Sequence, residues 1–256
     1  LLRRQGEGSE DFALAVDGST VKPEFFESEA DLVREVFGHI ERYPFVVTFN
    51  GDQFDLVYLY HRARDHLGIP VDVIPITLGR DTADLKEGVH LDLYRFLLNR
   101  SVQIYAYGNS YKEVTLDAVG RAVVSLEKMG LEKPISELSY RELCEYCLRD
   151  AEITLKLTTI HDDLMIKLIV MLTRISRMPM DDVVRHSVSV WIRSLFIYAH
   201  RRGGMLVPLA EEIQAVKGEA VTKAIIKDKK YRGAEVLEPK PGVHFKTVVM
   251  DFASLY

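Results

Sequence analysis

The sequence has 256 residues, 47% apolar and 28% charged, with a net charge of −5. That length holds one large domain, or one domain with part of another, and the composition is that of a globular rather than a disordered or fibrous chain. No apolar run approaches the length of a membrane span and no signal-peptide pattern opens the chain, so no membrane partner and a cytoplasmic address are the expectations.

The distribution of charge says more than its sum. Residues 1–175 hold 20 Lys and Arg against 29 Asp and Glu; residues 176–256 hold 13 against 9. An acidic body followed by a basic part is compatible with a phosphate backbone crossing the second part, and equally with a solvated charged surface. The two cysteines, Cys144 and Cys147, form one C-x-x-C inside a predicted helix. There is no second pair to complete a zinc site, and the context is wrong for a redox motif, so the pair reads as structural.

In chain order, a strand end, a Gly6/Gly8 turn and a strand at Phe12–Val16 open the chain. Ser28 caps a helix through Arg42 whose apolar stripe is Leu32, Val33, Val36 and Phe37. Phe45–Phe49 is apolar enough for a strand buried on both faces. Asn50-Gly51 breaks it, Asp52 can cap a helix start, and Phe54, Val57, Tyr58 and Tyr60 recur at helical spacing. Val71–Ile76 reads as a short strand and Leu78–Gly88 as a loop. His90–Tyr94 is strand-like and leads into a helix through Leu98; Ala106–Tyr111 reads as a loop, and Leu116–Val124 as a short amphipathic helix. Ser139–Ser176 is strongly helical, with a Ser139/Glu142 capping box and a break near His161-Asp162-Asp163. Pro179 ends it, Val183–Arg202 follows as a helix closed by Gly203-Gly204, Lys217–Lys240 is basic and less ordered, and Phe245–Met250 is strand-like.

Two acids stand out. Asp55 starts a helix after a buried strand and a tight turn, which lifts it to the rim of a sheet where open α/β folds place ligands. Taken alone it reads first as an acid serving the helix macrodipole. Tyr146 and Asp150 lie four apart on one helix face, so a carboxylate that holds a metal ion and a phenol that orients water could stand together there. Taken alone that pair reads as a half-exposed polar face.

Together these segments resemble family B DNA polymerases, of archaeal type. N-G-D-Q-F-D at residues 50–55 and Y-C-L-R-D at 146–150 are similar to the family's second and third exonuclease motifs. Tyr231-Arg232-Gly233-Ala234 resembles its Y-x-G-G/A linker, and Asp251-Phe252-Ala253-Ser254-Leu255-Tyr256 its first polymerase motif. The resemblance spans essentially the whole chain. It implies an α/β, ribonuclease-H-like (DnaQ-like) exonuclease domain with a mixed β-sheet flanked by helices over residues 1–176, a helical connector and basic linker over 177–240, and the start of a palm domain over 241–256. It implies Asp55 and Asp150 as metal ligands of a 3′→5′ proofreading exonuclease, with Tyr146 positioning water, and Asp251 as a polymerase metal ligand. The resemblance also implies Mg2+ or Mn2+ as the cofactor, two ions per complete site.

Asn50 and Phe54 would hold a frayed 3′ end, Tyr231 and Gly233 the template, and Lys227, Lys229, Lys230 and Arg232 phosphates. Ser254, Leu255 and Tyr256 would meet the incoming nucleotide, with Tyr256 as the ribose gate. DNA and dNTP are the implied partners and a sliding clamp a candidate one. Asp92 is expected to support the sheet. The family's D-x-E motif is not found; with Leu1 in place of Met, a longer parent is expected, with D-x-E before Leu1 and the second polymerase acid after Tyr256. The chain alone is therefore expected to polymerise nothing and to degrade DNA poorly or not at all. The competing readings are a free-standing 3′→5′ exonuclease and a non-catalytic DNA-binding subunit of a split polymerase.

Overall fold

The computed structural model describes residues 2–3, 12–16, 19–130, 133–217, 224–226, 229–231, 242 and 247–248. The chain divides into two compact units, residues 1–205 and 206–256. The expected Gly6/Gly8 turn lies outside the described residues, as does most of the expected strand at Phe245–Met250.

The first unit is α/β. Four short strands open it: β1 (Leu2–Arg3), β2 (Leu14–Val16), β3 (Ser19–Val21) and β4 (Phe25–Phe26). β1 pairs with β4 in parallel and β2 with β3 antiparallel. Helix α1 (Glu29–Arg42) starts where Ser28 accepts a hydrogen bond from the Ala30 amide, and it buries Val33, Phe37 and Ile40. Strand β5 (Phe45–Thr48) leads through a turn to α2 (Asp55–His61).

β6 (Ile76–Leu78) and β7 (Ala83–Leu85) form an antiparallel hairpin, where the sequence suggested a strand at 71–76 and then a loop. Pro70 and Pro75 explain the shift. The chain turns after Pro70, with the Val73 amide bonded to the Pro70 carbonyl at 3.0 Å, and Pro75 has no amide to give a ladder, so extension begins beyond it.

β8 (Val89–Asp92) runs parallel to β5 in the register Phe45↔Val89 to Thr48↔Asp92 and continues into α3 (Leu93–Leu98). α4 (Leu116–Val119) precedes the 37-residue α5 (Tyr140–Ser176). The capping box at Ser139/Glu142 forms, and α5 breaks at residues 160–163, where His161, Asp162 and Asp163 adopt left-handed backbone.

Pro179 does not end α5. Arg177, also left-handed, does so, and Pro179 instead precedes α6 (Met180–Arg185). The expected helix at Val183–Arg202 is likewise two: α6 stops before His186, and α7 (Val188–Arg202) starts anew after Ser187.

β5 separates two apolar clusters, because alternate residues of a strand face opposite ways. Val46 packs with Val33, Phe37, Leu56, Ile74 and Ile76 on one side. Val47 and Phe49 pack on the other with Leu91, Phe96, Ile153, Leu157, Met165 and Trp191. β5 is not buried on both faces as its apolar run suggested: Phe45 is exposed and the rest half-buried. Among the described residues β5 pairs only with β8, and the strands pair two by two rather than in one mixed sheet. α2 also differs from its expected stripe. Leu56 is its buried residue, while Phe54 and Tyr58 face solvent.

The second unit contains α8 (Ala210–Lys217) and an antiparallel hairpin of β9 (Ala224–Ile226) and β10 (Lys229–Tyr231), inside the basic stretch expected to be irregular.

Gly51 tests this architecture. A Cβ there would fall 2.3 Å from Thr48 Oγ1 and 2.7 Å from Thr48 Cβ. Such overpacking costs about 1–3 kcal/mol, so Gly51→Ala is expected to lower the urea midpoint accordingly with an unchanged slope.

Candidate functional site

Parallel pairing brings the carboxyl ends of β5 and β8 to one edge, and the turn at residues 50–52 is anchored there. Asn50 takes a left-handed φ of 76°, which asparagine tolerates better than most residues. Asp92, fully buried, accepts hydrogen bonds from the Asn50 amide at 2.7 Å, the Asp52 amide at 3.1 Å and the Tyr94 amide at 3.1 Å. Burial nevertheless raises its carboxyl above the usual range, against the amides of Asn50 and Asp52. Thr48 Oγ1 accepts from the Gly51 amide at 3.1 Å and meets His90 Nε2 at 2.8 Å. With its proton on Nδ1, His90 donates to the Ala83 carbonyl at 2.7 Å and accepts from Thr48.

Asp52 does not cap α2. It is buried, and its carboxylate accepts from the Ala83 amide and from both ends of the Arg185 fork, Nε and Nη2, each of the three at 2.9 Å. Burial alone would raise this carboxyl; the His90 N–H, 3.4 Å from Oδ1, and the hydrogen bonds from Arg185 and the Ala83 amide hold it far below the usual carboxylate range.

Asp55, the first residue of α2, lines a cleft of about 370 Å3 together with Val47, Thr48, Phe49, Leu116, Asp150, Ala151 and Thr154. The two acids that the sequence singled out, 95 positions apart, thus share one cavity. Asp55 is exposed as a residue. Even so, partial desolvation in the cleft, and then the charges of Asp92 and Asp150, push its carboxyl up against the pull of its own amide and His90.

Asp150 Oδ2 lies 2.8 Å from Lys128 Nζ, while Oδ1 is buried with no protein partner. The Lys128 ammonium also sits 5.2 Å from the centre of the Tyr146 ring. Burial disfavours that ammonium, but hydrogen bonding to Asp150 and Tyr146 outweighs it and raises its pKa. The unpartnered oxygen, with a second acid across the cavity, is a donor set suited to a hard divalent cation. Among the described residues no three His, Cys, Asp or Glu side chains gather as a metal cluster.

Phe54 is 66% exposed one residue before Asp55, and Asn50 Oδ1 is a second buried oxygen without a partner. Of the remaining candidates, Lys229, Lys230 and Tyr231 form β10, of which only the backbone is described. Lys227, Arg232, Gly233, Asp251, Ser254, Leu255 and Tyr256 lie outside the described residues. Cys144 and Cys147 are unpaired thiols on α5. Sequence reasoning missed Lys128 and Arg185. Lys128 stands in a stretch without periodicity, and Arg185 in a short helix whose acidic start gives no sign of its buried partner.

A family model described as "DNA polymerase family B, exonuclease domain" matches residues 5–119, and one described as "DNA polymerase family B" matches residues 178–256. The chain belongs to the family B DNA polymerases. It is 45% identical over 236 residues to DNA polymerase 1 of Sulfolobus acidocaldarius, covering 92% of this chain and 27% of that protein. It is 46% identical over 233 residues to DNA polymerase 1 of Sulfurisphaera ohwakuensis, covering 91% and 27%. The chain thus spans about a quarter of the length of these relatives. Among solved structures, that of the family B DNA polymerase from Pyrobaculum calidifontis aligns with a TM-score of 0.59 at 21% identity, over 88% of this chain and 28% of that one. No helix among the described residues is long and apolar enough to cross a membrane.

The raised Asp55 carboxyl sets a sign. A folded-state pKa above the unfolded value means that stability falls as pH rises through that window, with the cost complete above the folded pKa. Without divalent ions, Asp55→Asn is expected to melt at a higher temperature than the parent at pH 7. The gap should close below about pH 4, where the unfolded chain also takes up the proton. Thermal melts in EDTA across pH 3–8 read this directly.

Proposed function

We propose that this chain carries much of the 3′→5′ exonuclease site of a family B DNA polymerase, on a ribonuclease-H-like fold, and continues into the start of the palm. The observation that carries the reading is the shared cleft of Asp55 and Asp150, with Asp150 Oδ1 unpartnered. The proposed divisions are 1–176 for the exonuclease domain, 177–240 for connector and linker, and 241–256 for the palm.

Asp55 and Asp150 would hold divalent ions, Mg2+ or Mn2+, which when bound supply charge neutralisation at the phosphate and activation of water. Lys128 occupies Asp150 Oδ2, orients the carboxylate and leaves Oδ1 for the cation. Tyr146, one helical turn before Asp150, would hold the attacking water by its hydroxyl. Phe54 offers an exposed ring on which a terminal base can stack whatever its identity, and Asn50 an amide oxygen free to accept a hydrogen bond. Water adds across the last phosphodiester: its oxygen bonds to phosphorus, the 3′ oxygen leaves with a proton, and a nucleoside monophosphate is released.

In the second unit Tyr231, Arg232, Gly233, Lys227, Lys229 and Lys230 are the proposed DNA contacts. Asp251 is the proposed polymerase metal ligand, and Ser254, Leu255 and Tyr256 meet a dNTP. DNA is the partner, and a sliding clamp a candidate one.

Two carboxylates hold a divalent ion weakly, since such ions usually take six or more oxygens. The 256-residue chain is therefore expected to release mononucleotides from 5′-labelled single-stranded DNA slowly in Mn2+ and more slowly in Mg2+. Asp150→Ala is expected to abolish release, and primer extension to be absent. Release that survives Asp150→Ala would put the chemistry elsewhere.

A further inference from the structure

The exonuclease reading places Asp55 in the site but leaves open what holds it there. α2 has no side-chain cap: Phe54 stands at its N-cap position and provides none. The start of the helix hangs on the preceding turn, through bonds from the amides of Gln53 and Phe54 to the Asn50 carbonyl (3.2 and 3.0 Å) and from the Leu56 amide to the Gly51 carbonyl (3.2 Å). What fixes the turn fixes Asp55.

Two side chains support the turn from the strands themselves, Asp92 through the Asn50 and Asp52 amides and Thr48 through the Gly51 amide. The remaining support is Asp52, whose carboxylate is grasped by Arg185 from 133 positions away. Arg185 also donates through Nη1 to Asp84 Oδ1 at 2.5 Å and through Nη2 to the Ala83 carbonyl at 3.2 Å, and its side chain is 7% exposed. Its fork thus joins the turn to the β6–β7 hairpin. Arg185 closes α6, which packs on β8, and α6 lies within the segment matched by the polymerase family model, whereas Asp52, Asp84 and His90 lie within the exonuclease match.

We propose that Arg185 is a positioning residue for the nuclease site: through Asp52 it ties the turn that aims Asp55 to the first helix of the polymerase-matched segment. A displacement of that segment would therefore reach the metal ligand through one buried ion pair. The proposal rests on the exonuclease reading for its consequence, though the tie itself does not.

The test uses the 15N-labelled 256-residue chain, with Arg185→Lys, which keeps the charge and loses the planar fork, and Arg185→Met. Arg62→Met is the control; it removes an equally bidentate pair, Arg62–Glu29, at the far end of α2. Three readouts are taken: the cooperativity of melting, amide exchange at Asn50 and Asp52, and the Mn2+ concentration that half-broadens the Asp55 and Asp150 resonances. Arg185→Lys is expected to melt cooperatively, to exchange at Asn50 and Asp52 about tenfold faster, and to need about 10- to 100-fold more Mn2+, the usual loss when a group supporting a metal ligand is altered. Arg62→Met should move neither.

If Arg185→Met fails to fold, Arg185→Lys carries the test. An unchanged Mn2+ midpoint in folded Arg185→Lys, or an equal loss in Arg62→Met, overturns the proposal. If the parent chain shows no broadening at Asp55 or Asp150, the exonuclease reading fails instead. Exchange at Asn50 and Asp52 then decides the tie alone, with faster exchange supporting it and unchanged exchange refuting it.

Discussion

The first unit depends on how the turn at residues 50–52 is held at the end of two parallel strands. Backbone amides in such a turn have no ladder partners, and burying them unpaired would cost several kcal/mol in all. Asp92 takes two of them, Thr48 a third, and Asp52 carries the turn's outward connections to Ala83 and Arg185. The two carboxylates face opposite balances. Asp92 has only amides and remains disfavoured as an anion, whereas Asp52 has a guanidinium and is strongly favoured as one. Neither alone would suffice: a buried carboxylate without a cation is expensive, and a salt bridge without the amides would leave the backbone unsatisfied.

The site rises directly from this arrangement. Asp55 begins the helix that the turn launches, and Asp150 arrives from α5, whose Ile153 and Leu157 are fixed in the same cluster as Val47 and Phe49. The acids face one cleft because the strand and the helix share a core, and the Asp55 carboxyl is raised there chiefly by desolvation, with smaller contributions from the charges of Asp92 and Asp150. Lys128 tempers the charge on one side of Asp150 only.

Much of this was legible in the sequence where local chemistry decides it. Ser28 and the Ser139/Glu142 box mark helix starts by bonds made within three residues, and both form as read. The turn after β5 was legible from Asn50-Gly51, and the two acids from their motifs. Reading failed where a distant partner wins. Asp52 has the right residue type and place for a cap, but Arg185 and Ala83 claim its carboxylate. The apolar run of β5 suggested burial on both faces, which the strand, with one hydrogen-bonded neighbour among the described residues, does not reach. The β6–β7 hairpin escaped notice because three-residue strands show almost no alternation, and Pro70 and Pro75 mislead unless each is asked which amide it removes.

The break in α5 bears on the acid that α5 carries. Unbroken, 37 residues would make a rod about 55 Å long, more than a unit of some 200 residues can cover. By changing direction at residues 160–163 the chain returns Met165 and Ile169 to the cluster that already holds Ile153 and Leu157. The second arm thus acts as a buttress for the first, and Asp150 inherits its fixed bearing on the sheet from residues that lie beyond the elbow.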